Sequence, residues 1–244
     1  MVSGAADDSA RQLREKEKKR VLAALVVHDL RSPLSAIQGY LGLLREELEE
    51  AGGAPVPQAL AYIDDAATLV GKALGLVATI LDVEELEDGI LRAHRAPVRV
   101  MQLIDNARAG NRAQFEIRQV RLECEVAEDL VARVDPDLVG RVLENLIDNS
   151  VRYAPRGGRV SITVKRDDRG LELAIGNDGP PVPESEREQI FGRYFQVEAR
   201  RASARANRGL GLYFCKLAAE AHGGSIHVEQ RGELGAAFVV RLAE

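Results

Sequence analysis

The chain has 244 residues, 45% of them hydrophobic, no Trp and a formal net charge of −5. That length supports two small cores built from Leu, Val, Ile and Ala, and the acidic balance argues against a globally basic, nucleic-acid-binding surface. No apolar run reaches the roughly 18 residues of a membrane span, and the opening MVSGAADDSARQLREKEKKR lacks the apolar block of a signal peptide.

Two cysteines, Cys124 and Cys215, have no metal-ligand spacing. Both are expected as small core residues in a reducing, cytoplasmic setting. His94, His222 and His227 also lack ligand spacing and are expected to be structural or superficial.

Residues 8 to 87 carry helical periodicity and no strand signal. The stretch AGGAPVP, 51–57, stops one helix and starts the next, which predicts a helical hairpin. In the second helix Leu60, Ile63, Ala67, Val70, Leu74, Val77 and Leu81 alternate spacings of three and four, as at a bundle seam. Two helices bury too little to stand alone, so a homodimeric four-helix bundle is expected.

In the first helix Leu22, Val26, Pro33, Ile37, Tyr40, Leu44 and Leu48 form one apolar stripe. His28 falls roughly 155° from the middle of that stripe, on the solvent side. Its neighbours there are Ala24, Ser32, Ser35, Gly39 and Gly42, small residues that leave room for a large ligand. Pro33 removes a backbone donor, leaves the Asp29 carbonyl unpaired and predicts a local bend. An exposed neutral imidazole is a competent nucleophile, and Asp29 beside it can accept the proton from the other ring nitrogen.

The segment EDGILRAHRAPVR, with Gly89 and Pro97, reads as a linker. Beyond it, strands are expected at 120–126, 159–166, 171–177, 225–230 and 236–242, and helices near 101–118, 136–153 and 210–222. Helices on one face of a mixed sheet make an α+β two-layer sandwich.

Three stretches of this half carry polar groups suited to a nucleotide. ENLIDNSVRYAP (144–155) puts Asn145 and Asn149 on one helix face, where neutral oxygens suit Mg²⁺ that already sits on phosphates. IGNDGPPVPE (175–184) ends a strand in a turn where Gly179 permits close approach. RGLGLYFCK (208–216) opens a helix with Gly209 and Gly211, and backbone N–H groups at such a start bind phosphate. Before it, Arg193, Arg200, Arg201, Arg205 and Arg208 could neutralise a triphosphate from a lid.

Taken in order, HDLRSPLSAI (28–37), ENLIDNSVRYAP, NDGPPV (177–182), IFGRYF (190–195) and RGLGLYFCK resemble the H, N, G1, F and G2 boxes of bacterial two-component sensor histidine kinases. The resemblance covers nearly all of residues 10 to 244. It implies a dimerisation and histidine-phosphotransfer domain at 1–88, followed by an ATP-binding domain of the gyrase–chaperone–kinase type at 98–244. His28 would accept the γ-phosphoryl group of Mg²⁺-ATP, with Asp29 beside it, and pass it to an aspartate of a response regulator. Asn149 would ligate Mg²⁺. Asn145, Arg152, Tyr153, Asn177 and Gly179 would line the nucleotide, together with Arg208, Gly209, Leu210, Gly211 and Leu212 of the G2 box.

The chain departs from the family pattern at four positions. Asn177 stands where an Asp usually receives the adenine amino group, and Pro181 replaces the second Gly of that box. Asn207 replaces the first Gly of the G2 box, and Ser32 stands where many members carry Thr or Asn. A water-activating carboxylate four residues before the Mg²⁺ ligand, as in related hydrolases, is replaced by Asn145, which favours transfer over hydrolysis. The alternative is a degenerate, non-catalytic nucleotide-binding module.

Overall fold

The computed structural model describes residues 30, 32–37, 39–47, 57–89, 91–193, 195 and 209–244. The chain divides into two compact units, Met1–Ile80 and Leu81–Glu244.

In the first unit the described residues between 30 and 47 are helical (α1), and α2 spans Pro57–Glu87, its last turns belonging to the second unit. The rings of Tyr40 and Tyr62 stack across the pair at 6.0 Å. Ile37 of the expected stripe is buried, as are Ala59, Ala66 and Ala73, seven apart on α2. A second set, Leu34, Leu41, Ile63 and Val70, stays exposed on this single chain. On the face expected to carry the histidine, Ser32, Ser35, Gly39 and Gly42 are exposed, and a Cβ at either glycine would meet nothing. His28, Asp29 and Ala24 lie outside the described residues.

The second unit is a five-stranded sheet in the order β2-β4-β5-β7-β6, with β2 Arg121–Glu125, β4 Arg159–Asp167, β5 Gly170–Asn177, β6 Ser225–Arg231 and β7 Leu234–Leu242. Only β2 and β4 run parallel, since β3 (Val131–Val134) and α5 (Pro136–Tyr153) lie between them in sequence. Alternation puts Val160, Ile162, Leu171, Leu173, Ile175, Phe238 and Val240 into the core. Helices α3 (Val100–Gly110), α5 and α6 (Gly211–Ala221) cover that face. Leu143, Leu146 and Ile147 of α5 and Phe214 of α6 are wholly buried.

Three sequence expectations change. The segment 87–99 is not all linker, because β1 (Ala96–Arg99) pairs antiparallel with β3. Helix 101–118 is two helices, α3 and α4 (Arg112–Arg118). They break at Asn111, whose buried side-chain amide donates to the Ala107 carbonyl at 2.9 Å and competes with the helix ladder. Cys124 is exposed, unlike buried Cys215. It shares a face with Leu122, but of the two only Leu122, on this edge strand, is packed against the core.

His222 is structural, as expected, and fully buried at the end of α6. Its Nε2 accepts the Asp135 N–H at 3.0 Å, so Nδ1 carries the proton and donates to the Ala218 carbonyl at 2.7 Å. Asp135 in turn caps α5 by accepting from Asp137 N and Leu138 N, and accepts His94 N–H on its other oxygen. Burial holds the imidazole pKa below its ordinary value, against the opposing pull of the Ala218 hydrogen bond and Asp135 and with a small contribution from Arg95. The unfolded chain therefore takes up the proton first, so stability is complete above about pH 6.5 and falls as pH drops below it. His222→Gln is expected to cost about 2–3 kcal/mol in denaturant unfolding and to flatten that acid-side loss.

Candidate nucleotide site

Helix α5 has two faces with different work. Its apolar face is locked into the core, and its last turns carry Asn145, Asn149, Arg152 and Tyr153, all half-buried. Asn145 Nδ2 donates to the Arg141 carbonyl at 2.9 Å, which fixes the amide with its oxygen outward. That oxygen faces α6: a Cβ on Gly211 would sit 2.7 Å from Asn145 Oδ1. The start of α6 thus lies against the asparagine face of α5 because residue 211 has no side chain. Gly209 adopts φ +73°, a left-handed conformation that suits glycine. Leu210 is buried and Leu212 half-buried. Arg208 lies outside the described residues, as do Arg200, Arg201 and Arg205.

The end of β5 approaches the same helix at its last turn. Asn177 is 1% exposed; its Nδ2 donates to the Ser150 carbonyl at 3.1 Å and its Oδ1 accepts the Gly179 N–H at 3.0 Å. A Cβ on Gly179 would fall 2.1 Å from the Tyr153 carbonyl oxygen, which is backbone and cannot yield. Asp178 points elsewhere, its Oδ1 accepting the Arg159 N–H at 2.9 Å. The structure therefore brings Asn145 beside Gly211, and Asn177 and Gly179 beside the last turn of α5, from segments far apart in sequence.

Three arginines have partners the sequence did not announce. Arg152 pairs with Asp148 one turn back at 2.7 Å. Arg193, expected with the lid arginines, instead donates to Glu84 and Glu87 at 2.5 and 2.7 Å. Tyr213 donates to Glu87 as well, and Arg141 pairs with Asp82 while its guanidinium lies 4.3 Å from the Phe214 ring centre. The last turns of α2 are thus bound to the start of α6 and to α5 by side chains. Sequence reasoning also missed Ser150, whose carbonyl anchors Asn177; no periodicity marks it out.

Among the described residues no group of three or more His, Cys, Asp or Glu could hold a metal ion. Nor is any described helix long and apolar enough to cross a membrane.

These features match known proteins. Residues 18–89 fit the His Kinase A (phospho-acceptor) domain, and residues 134–244 fit the histidine kinase-, DNA gyrase B- and HSP90-like ATPase family. Together the two span most of the sequence, and the chain carries the paired domains of a two-component histidine kinase core. It is 29% identical over 231 residues to the sensor protein SrrB of Staphylococcus aureus, covering 93% of this chain but 38% of that protein. The chain therefore spans little more than a third of that relative. The histidine kinase AdeS of Acinetobacter baumannii has a similar fold, with a TM-score of 0.64 at 19% identity over 88% of this chain and 97% of its own. So does the histidine kinase ThkA crystallised with the response regulator protein TrrA, with a TM-score of 0.60 at 20% identity over 98% of this chain and 66% of its own.

The glycine at 179 gives the first test of the site. Gly179→Ala is expected to destabilise the second unit by about 2–4 kcal/mol, read by thermal or denaturant unfolding, since backbone must move to admit one methyl group. Gly211→Ala meets only the end of a side chain and should cost less than half as much.

Proposed function

We propose that this chain is the kinase core of a sensor histidine kinase that phosphorylates its own His28 from ATP and hands the phosphoryl group to an aspartate of a response regulator. The observation that carries this is that Gly211 against Asn145, and Asn177 with Gly179 against the last turn, both lie along the C-terminal half of α5, in a chain whose other matched domain is a phospho-acceptor domain.

Asn177 and Gly179 receive the purine, at the buried end where α5 and β5 meet. Asn145 and the N–H groups opening α6, after Gly209, receive the phosphates, with Arg152, Tyr153, Arg208, Leu210 and Leu212 around them. Asn149 offers a neutral oxygen to Mg²⁺ held on those phosphates, and when bound the ion supplies charge neutralisation there. One ring nitrogen of His28 attacks the γ-phosphorus as the bond to the bridging oxygen breaks and ADP leaves. Asp29 accepts the proton of the other ring nitrogen. An N–P bond is the product, and a regulator carboxylate then displaces the imidazole.

With γ-labelled ATP, the chain should acquire acid-labile, alkali-stable label that His28→Gln abolishes. Label that persists in His28→Gln would contradict the assignment. Asn149→Ala is expected to remove labelling while leaving thermal unfolding within about 1 kcal/mol of the parent, as suits a half-buried surface amide.

The acceptor domain acts as a cytoplasmic homodimer in this account, with domain limits near residues 88 and 98. Leu34, Leu41, Ile63 and Val70, pairs seven residues apart and exposed on one chain, supply a seam for a second copy. The double variant Ile63→Glu, Val70→Glu is expected to weaken dimerisation by more than about a hundredfold in sedimentation equilibrium, because each carboxylate would be desolvated in the seam. An unchanged dimer would place the interface elsewhere.

A further inference from the structure

The hydrogen-bonding capacity of Asn177 bears on which purine the site takes, and this step rests on the nucleotide-binding role proposed above. A carboxylate at that position offers acceptors only, so at purine position 6 it can be met by a donor, the adenine amino group. An amide offers two N–H donors and two lone pairs. One N–H is spent on the Ser150 carbonyl at 3.1 Å, and one lone pair on the Gly179 N–H at 3.0 Å. One donor and one acceptor remain, on a side chain only 1% exposed.

The residue that Asn177 grips has a spare group of its own. Ser150 is fully buried, and among the described residues its hydroxyl has no hydrogen-bond partner. A serine inside a helix commonly bonds the carbonyl one turn back, and this one does not. A buried hydroxyl left unpaired is unfavourable, and a polar ligand edge would relieve it.

We propose that Asn177 and Ser150 let the site take 6-oxopurine triphosphates, such as GTP and inosine triphosphate, as well as ATP. The 6-amino base shows a donor at N6 beside an acceptor at N1; the 6-oxo base shows an acceptor at O6 beside a donor at N1. The spare lone pair of Asn177 Oδ1 takes N6–H from the first or N1–H from the second. The spare N–H of Asn177 donates to N1 of the first or to O6 of the second, and the second lone pair of O6 takes the Ser150 hydroxyl. Neither base leaves its edge unpaired, whereas a carboxylate would set a lone pair against O6.

The test is calorimetric titration of the full chain, with Mg²⁺, using the non-hydrolysable imido analogues of ATP and GTP and inosine triphosphate. At least one 6-oxopurine should bind within about thirtyfold of the adenine analogue, where a site leaving a polar edge unpaired discriminates by about 10⁴. Asn177→Asp should widen the adenine preference at least about tenfold by setting an acceptor against O6. Should that buried carboxylate prevent folding, Ser150→Ala serves instead, weakening the 6-oxopurines more than the adenine analogue. Adenine binding with both 6-oxopurines weaker by more than about thirtyfold overturns this inference and leaves the kinase assignment standing. No binding of the adenine analogue at all removes both.

Discussion

The proposed nucleotide face depends on how closely the end of β5 approaches the last turn of α5. That approach is set by one side-chain amide and one missing Cβ. Asn177 joins the Gly179 N–H to the Ser150 carbonyl, and Gly179 lies where any larger residue would strike the Tyr153 carbonyl. Because α5 is anchored along its other face by Leu143, Leu146 and Ile147, the approach is held by the whole core. Buried Asn177 would be costly without partners, and it has one for each end of its amide.

Beyond this contact, the second unit is organised so that α5 cannot shift alone. Its N-terminus is capped by Asp135, which also accepts from the backbone of residue 94 and donates its own N–H to buried His222 at the end of α6. Its middle is tied through Arg141 to Asp82 and to the Phe214 ring. Its C-terminal half meets Gly211 through Asn145. The helix that presents the polar groups thus meets both ends of α6, and the start of α6 is linked in turn to the α2 carboxylates through Tyr213.

Much of this was legible in the sequence. Period-two runs gave all five strands of the main sheet, and the four-residue spacing of Asn145 and Asn149 gave a polar helix face. The Gly/Pro turn after 177 and the paired glycines at 209 and 211 were visible as signals, and their order carried the family resemblance. What was not legible depends on contacts distant in sequence. β1 and β3 have four residues each, one containing Pro97, and gain their identity only by pairing with one another. The break at Asn111 is a choice between helix ladder and side chain that periodicity does not record. Arg193 reads as one more lid cation until Glu84 and Glu87 are found beside it. Ser150 reads as filler in a helix until Asn177 is seen to hold its carbonyl.

The α5–β5 contact and the start of α6 are proposed to form a single nucleotide seat. Amide hydrogen exchange of the full chain, with and without Mg²⁺ and a non-hydrolysable ATP analogue, tests it most directly. Protection should rise together at 145–153, 177–180 and 209–214, and stay unchanged in the edge strand 121–125. Protection confined to other segments, or none at saturating nucleotide, would contradict it.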